Sequence, residues 1–200
     1  MKRTIEEAIS NRRSYYHINS ASPVEDSEII RIIHEAVRHV PSAFNSQSTR
    51  IVLLLGEHHS KLWEIVKDTL KKMLPEEVFL NTRTKIDGSF ACGYGTVLFF
   101  EDTSVVTQFI QTYPLYSSNF KTWAQHTSAM HQFTVWTMLE DLGFGASLQH
   151  YNPLIDNEVK HTWNLPNEWE LIAQMPFGMP LSAPSEKTFK PLEERVKVFQ

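Results

Sequence analysis

An α+β domain, with one central mixed or antiparallel sheet covered by helices on both faces, is what this sequence predicts. Two observations carry the prediction. The runs IVLLL at 51–55 and TVLFF at 96–100 are apolar throughout and lack the alternation of a half-exposed strand, so they belong inside a sheet. The segments between and after the strands repeat apolar residues at helical spacing, which supplies the cover. With 200 residues, 42% of them hydrophobic, and no shift of composition, the chain reads as a single domain over 1–200. No internal repeat or low-complexity segment argues for a solenoid or a disordered module.

Thr4 followed by Glu7 is a capping-box signature, and Ile5 and Ile9 extend it into a first helix reaching about Asn11. That helix delivers Arg12, Arg13 and Ser14 at its end. Ile29, Ile33, Ala36, Val37 and Val40 mark a second helix, stopped by Pro41, and the loop SAFNSQST leads into the strand at 51–55. Leu62, Ile65, Val66, Thr69 and Met73 predict a third helix, and a polar one occupies roughly 76–87. Neither Pro nor Gly interrupts 117–142, where Trp123, Met130, Phe133, Val135, Trp136, Leu139 and Leu142 cover more than one face. Such a helix is expected to be buried on several sides. Gly143 and Gly145 end it, and ASLQHYN at 146–152 is a third strand or an extended loop. Pro153 and Asp156 introduce a short helix ending near Trp163; WELIAQMPFG at 169–178 is a further strand. The alternating ERVKVF at 194–199 has no helical partner and reads as an edge strand lent elsewhere.

Nineteen Lys and Arg against 23 Asp and Glu give a net charge of -4, which disfavours nucleic acid as a partner. The charged start MKRTIEEAISNRR lacks the apolar core of a signal peptide, and no uncharged run approaches a membrane span, so a cytoplasmic protein is expected. Cys92, the single cysteine, forms no internal disulfide and lacks a nucleophile signature. No metal site is expected: His58 and His59 are adjacent, and His126 and His131 fall on different helix faces. Five Trp among 12% aromatic residues suit an interface or a flat ligand better than an ordinary small core.

Seven glycines form neither a dinucleotide fingerprint nor a P-loop. Side chains must therefore hold any phosphate. Arg12 and Arg13 offer two planar donor forks beside the Ser14 hydroxyl; the alternative is a solvated basic helix end that complements the dipole. In the loop after Pro41, the Asn45 and Gln47 amides donate and accept at once, as the imide edge of a flavin or a pyrimidine demands, or else the loop merely shapes a turn. Gln149, His150 and Tyr151 gather an amide, an imidazole and a phenol after the long helix, where His150 reads as a hydrogen-bonded structural residue rather than a general base. Lys187 and Lys190, with Arg195 beyond, either close over the same phosphate or belong to a solvated tail.

The order of these pieces resembles the nitroreductase family: RRS after the first helix, PSAFNSQ before the first buried strand, a long helix, SLQHYN and a basic KPLEERV tail. GTVLFFED at 95–102 and ASLQHYNP at 146–153 are similar to signatures of its compact subgroup, the fatty-acid-repression nitroreductases. The match spans nearly the whole chain. It implies a sandwich-like α+β homodimer with two FMN molecules at the subunit interface, the long helix at the dimer core and the C-terminal extension exchanged with the partner. Arg12 and Ser14 would reach the flavin phosphate or ribityl chain, and Arg13 the pyrimidine side of the ring; Lys187 and Lys190 match the C-terminal phosphate ligands. Ser42, Ala43, Phe44 and Asn45 would come from the second chain, and Gln47 would anchor the loop or the ring edge. Gln149 and His150 match the segment whose backbone N–H approaches flavin N5. The implied activity is ping-pong hydride transfer from NADH or NADPH through N5 to nitroaromatic, quinone or similar small electron-poor acceptors, with no catalytic side chain. The chain differs from broader family members in having Leu148-Gln149-His150-Tyr151 where many carry Pro before Glu-Gly or Gly-Gly. It also lacks room for long lid helices, which predicts a more open pocket. Two other functions fit the same residues: a flavin-binding sensor with little turnover, and a flavin-free interaction module.

Overall fold

The computed structural model describes residues 3–200. In chain order it contains α1 (Ile5–Asn11), β1 (Ile18–Asn19), α2 (Asp26–His39), β2 (Thr49–Leu55), α3 (Glu57–Lys71), α4 (Glu76–Ile86) and β3 (Gly95–Asp102). There follow α5 (Thr103–Thr112), α6 (Phe120–Asp141), β4 (Gly145–Ala146), α7 (Asp156–Thr162) and β5 (Trp169–Pro180). The sheet order is β1-β5-β3-β2, with β4 also pairing β5, and every strand pair is antiparallel.

All eight residues of β3 are buried, as its unbroken apolar run requires. Its alternate side chains divide between two cores. Leu98 and Phe100 join Trp63, Val66, Phe90 and Val159 on the face covered by α3, α4 and α7. Val97 and Phe99 join Ile29, Ile32, Val135 and Leu139 on the face covered by α2 and α6. The period of two in a strand thus builds one sandwich from one apolar run.

Several boundaries differ from the sequence reading. The segment 103–112, unassigned from sequence, is α5; Asp102 caps it by accepting from Ser104 N–H. Helix α6 starts at Phe120 rather than near Ser117, because Pro114–Tyr116 forms a 3-10 turn ahead of it. The 146–152 stretch is extended but contributes only β4 and a single bridge between Gln149 and Gln174. The expected edge strand at 194–199 is absent from this chain's sheet: beyond β5 only a 3-10 turn at Leu192–Glu194 is formed, and Val198 and Phe199 are exposed. An alternating segment becomes a strand only against a free edge, and this tail pairs with neither β1 nor β2.

Helix α6 was expected to be buried on several sides, and within one chain its core residues lie on the face toward the sheet and α2. Ala124, Thr127, His131, Val135 and Leu139 face the core, whereas Met130 and Phe133 remain 39% and 44% exposed. Among the described residues no helix is long and apolar enough to cross a membrane.

Candidate functional site

The site begins with the cap of α1. Thr4 accepts from the Glu7 backbone N–H while the Glu7 carboxylate accepts from Thr4 N–H, so both partners of the capping box are in place. Arg12 closes the helix, and the chain then runs against β4, where Ser14 forms a parallel bridge with Ala146 and Tyr15 N–H donates to Ala146 O at 2.9 Å. This approach depends on Gly145, since a Cβ there would lie 2.7 Å from the Tyr15 ring.

That exit sets the Arg12 guanidinium 4.5 Å from the Trp136 ring centroid and 5.9 Å from that of Phe133. Its Nε is buried without a hydrogen-bond partner, and among the described residues no carboxylate pairs with Arg12 or Arg13. Burial first, and then the charge of Arg13, push the Arg12 pKa down. A partly desolvated cation without a counter-ion is costly unless an anion arrives.

Beside it lies a cavity of about 460 Å³ lined by Arg12, Arg13, Ser14, Ser182, Ser185 and Lys187, among others, with no Asp or Glu in the lining. The tail folds over this cavity: Arg13 Nη2 donates to Ser185 O at 2.5 Å, and His17 Nδ1 lies 3.2 Å from Ser182 Oγ. Lys187 is therefore brought to the same cavity as Arg12 and Arg13. Lys190 is exposed and outside the lining. Ser182 and Ser185 were missed from sequence, where the one available signal was a run of small and hydroxyl residues just ahead of Lys187. Two guanidinium forks, a lysine and hydroxyls, with an orphaned buried N–H among them, are the donor set of a phosphate monoester site, and FMN fits it by that chemistry.

The loop after Pro41 lies elsewhere. Phe44 packs among Tyr113, Tyr116, Phe120 and Trp123, with ring centroids 4.8–6.0 Å away. Trp123 and Trp136 stand roughly 20 Å apart along α6 at about 1.5 Å of rise per residue. Within one chain Ser42, Ala43, Phe44, Asn45 and Gln47 thus sit at one end of the helix and the cationic cavity at the other. Phe44, Asn45 and Gln47 have φ of 55°, 54° and 50°. Asn tolerates that region and Phe does not, and such residues cost on the order of 1–3 kcal/mol each, which marks segments under functional constraint. The Asn45 and Gln47 amides make no hydrogen bond among the described residues, and both side chains are exposed.

Gln149 exchanges two backbone hydrogen bonds with Gln174, at 2.7 and 2.9 Å, and Tyr151 N–H donates to Gln174 Oε1 at 2.7 Å. The Gln149 N–H is therefore committed to β5. Antiparallel pairing turns the N–H of the next residue outward, so His150 carries the donor available to a ligand edge, and its side chain is exposed.

At the root of the strained loop Glu101 is 2% exposed. Burial raises its carboxyl pKa, against the hydroxyls of Ser48 and Thr49, which donate to it. Cys92 is half-buried, and burial raises its thiol pKa.

The nitroreductase family profile matches residues 9–179 of this chain, most of the sandwich and the Arg12–Ser14 exit included. The chain belongs to the nitroreductase family. It is, by class, an oxidoreductase. As a family member it is 33% identical to the Saccharomyces cerevisiae protein "nitroreductase FRM2" over 184 residues, 91% of each chain. Its fold superposes on the Lactococcus lactis nitroreductase CinD, solved in complex with nicotinic acid, with a TM-score of 0.91 and 41% identity over 98% of this chain and 100% of that one. A putative nitroreductase from Desulfovibrio desulfuricans, solved in complex with FMN, shares the fold at a TM-score of 0.71 and 17% identity, each chain covered in full.

Proposed function

We propose that this family member is an FMN-dependent oxidoreductase that takes hydride from NADH or NADPH and passes it to flat electron-poor acceptors such as nitroaromatics and quinones. The observation that carries the reading is the unpaired, half-buried Arg12 at the edge of a cavity lined by Arg13, Ser14 and Lys187 and free of carboxylates. Bound there, FMN supplies a ring that accepts a hydride and returns it. Arg12, Arg13 and Lys187 would neutralise its phosphate, and the Ser14 hydroxyl would fix its orientation. The chain runs extended from Ala146, which touches Ser14, to His150, about 13 Å further at roughly 3.3 Å per residue. With the phosphate at Ser14, that spacing would leave the His150 N–H available to the ring. No side chain needs to gain or lose a proton in the transfer itself.

The second half of the site is proposed to come from a second copy of the chain. Antiparallel pairing of two α6 helices would cover Met130 and Phe133 and carry the Phe44 loop of one chain to Arg12 of the other. Asn45 and Gln47 would then meet the polar ring edge, and the aromatic cluster around Phe44 would shield the ring from water. The exposed Phe189, Leu192, Val196, Val198 and Phe199 of the tail are apolar surface suited to lying on that partner. CinD has also been solved with chloramphenicol and with 4-nitrophenol, which supports ring-bearing acceptors for the present chain. A cytoplasmic location, where a free thiol such as Cys92 persists, is part of the same reading.

The test is a visible spectrum of untagged protein purified without added flavin, chromatography of what heat releases, and NADH and NADPH oxidation with a nitroaromatic acceptor. Release of FMN at about one per chain together with turnover is expected. FMN without turnover would make the protein a flavin-binding sensor. A colourless chain that refuses FMN would overturn the reading.

A further inference from the structure

The Ser42–Gln47 loop has little of its own to hold it. Its internal hydrogen bonds are those of one 3-10 turn, Asn45 N–H to Ser42 O and Ser46 N–H to Ala43 O, with Gln47 N–H donating to Ser42 Oγ. Three of its residues sit at positive φ and none is glycine. A backbone of this kind persists only where its surroundings over-determine it.

Downstream, three consecutive residues, Ser48, Thr49 and Arg50, are tied to the last two of β3. The Ser48 hydroxyl donates to Glu101 Oε2 at 2.6 Å and that of Thr49 to Glu101 Oε1 at 2.5 Å, so both carboxylate oxygens are used on the root of the loop. Asp102 N–H donates to Ser48 O at 2.9 Å. Arg50 Nη1 donates to Gln47 O at 2.7 Å, the carbonyl of a left-handed residue, while Nη2 pairs with Asp102 Oδ2 at 3.0 Å. An apolar residue would fill the place of Glu101 at lower desolvation cost, and a carboxylate buried for packing alone gains little there. Neither Glu101 nor Arg50 lines the cationic cavity.

We propose that Glu101 and Arg50 are positioning residues for the candidate flavin site: they clamp the root of the Ser42–Gln47 loop in the shape that presents Asn45 and Gln47 to FMN held by a second chain. This rests on the FMN-dependent dimer proposed above. Glu101 fixes the loop through two hydroxyls, so a group of equal size that still offers an acceptor and a donor substitutes for it. The Arg50 fork spans a carbonyl and a carboxylate together, so a point charge does not.

The full-length protein, with Glu101→Gln, Glu101→Leu and Arg50→Lys, supplies the test. Hydrogen exchange of the 42–50 segment without flavin reports the clamp, and titration with FMN, followed by the fine structure of its visible band, reports the site. Glu101→Leu and Arg50→Lys are expected to speed exchange at 42–47 and weaken FMN binding by about tenfold, the size of one charge-assisted hydrogen bond lost. The band should blur, and exchange in α2 should stay as in wild type. Glu101→Gln should keep the affinity within about threefold and retain the wild-type band. Arg50 is partly exposed, so Arg50→Lys decides the matter if Glu101→Leu fails to fold. Unchanged exchange at 42–47 in the folded variants overturns the clamp, and so does a loosened loop with unaltered FMN affinity. A wild-type chain that refuses FMN overturns the functional reading instead, a failure seen on a different measurement.

Discussion

Arg12 concentrates the chemistry of this molecule. It closes a capped helix, stacks on Trp136, and reaches a cavity without any acid to pair with. If its charge is there to meet a phosphate, Arg12→Ala removes a charge-assisted hydrogen bond worth about 1.5–3 kcal/mol, and FMN affinity should fall about ten- to hundredfold. A flavin titration of the folded variant checks this; unchanged affinity would take Arg12 out of the site. Residue type and the family resemblance named Arg12, Arg13, Ser14 and Lys187 as candidates, and the structure gathers them round one cavity. That no carboxylate among the described residues pairs with Arg12 depends on what other segments bring near, and no local pattern reports it. The same holds for Ser182 and Ser185, ordinary hydroxyls that matter only because the tail lies over the Arg13 guanidinium.

Among elements, those with local chemistry at their ends were the readable ones. The capping box fixed the start of α1, and the stop of α6 is a Schellman motif: Gly143 N–H donates to Glu140 O at 2.8 Å and Phe144 N–H to Leu139 O at 2.9 Å, with Gly143 at φ +93°. Gly143→Ala leaves only ordinary contacts to Pro23, so its effect is backbone strain, about 1–2 kcal/mol. A urea unfolding curve should show its midpoint lowered with its slope unchanged. Helix α5 escaped the sequence reading even though Asp102 caps it and Val105, Val106 and Phe109 recur at helical spacing. Its β-branched and polar residues are weak helix formers, and contact with α6 outweighs that propensity. The alternation of the tail was legible too, but a strand needs an edge, and the chain does not offer this segment one of its own.

For the whole molecule the unpaired surfaces decide the expectation. An α6 face with Met130 and Phe133 exposed, an apolar tail, and a Phe44 loop that does not line the cationic cavity are what two chains sharing two sites would explain. FMN binding and dimerisation must then stabilise each other, because a ligand that binds only the dimer draws the equilibrium toward it. Sedimentation at dilute protein should show the dimer fraction rising as FMN is added; a flavin-saturated monomer would contradict the shared site. By itself the sequence determined the α+β class, the two buried strands, the capped first helix and the candidate ligands, since each is written in contiguous residues through periodicity, capping and charge. Only the tertiary structure decided that every strand pair is antiparallel, that the Gln149 N–H is committed to β5, and that the Phe44 loop and the cationic cavity lie toward opposite ends of α6. Those facts follow from which distant segments meet, and contacts between distant segments leave no local trace in the order of residues.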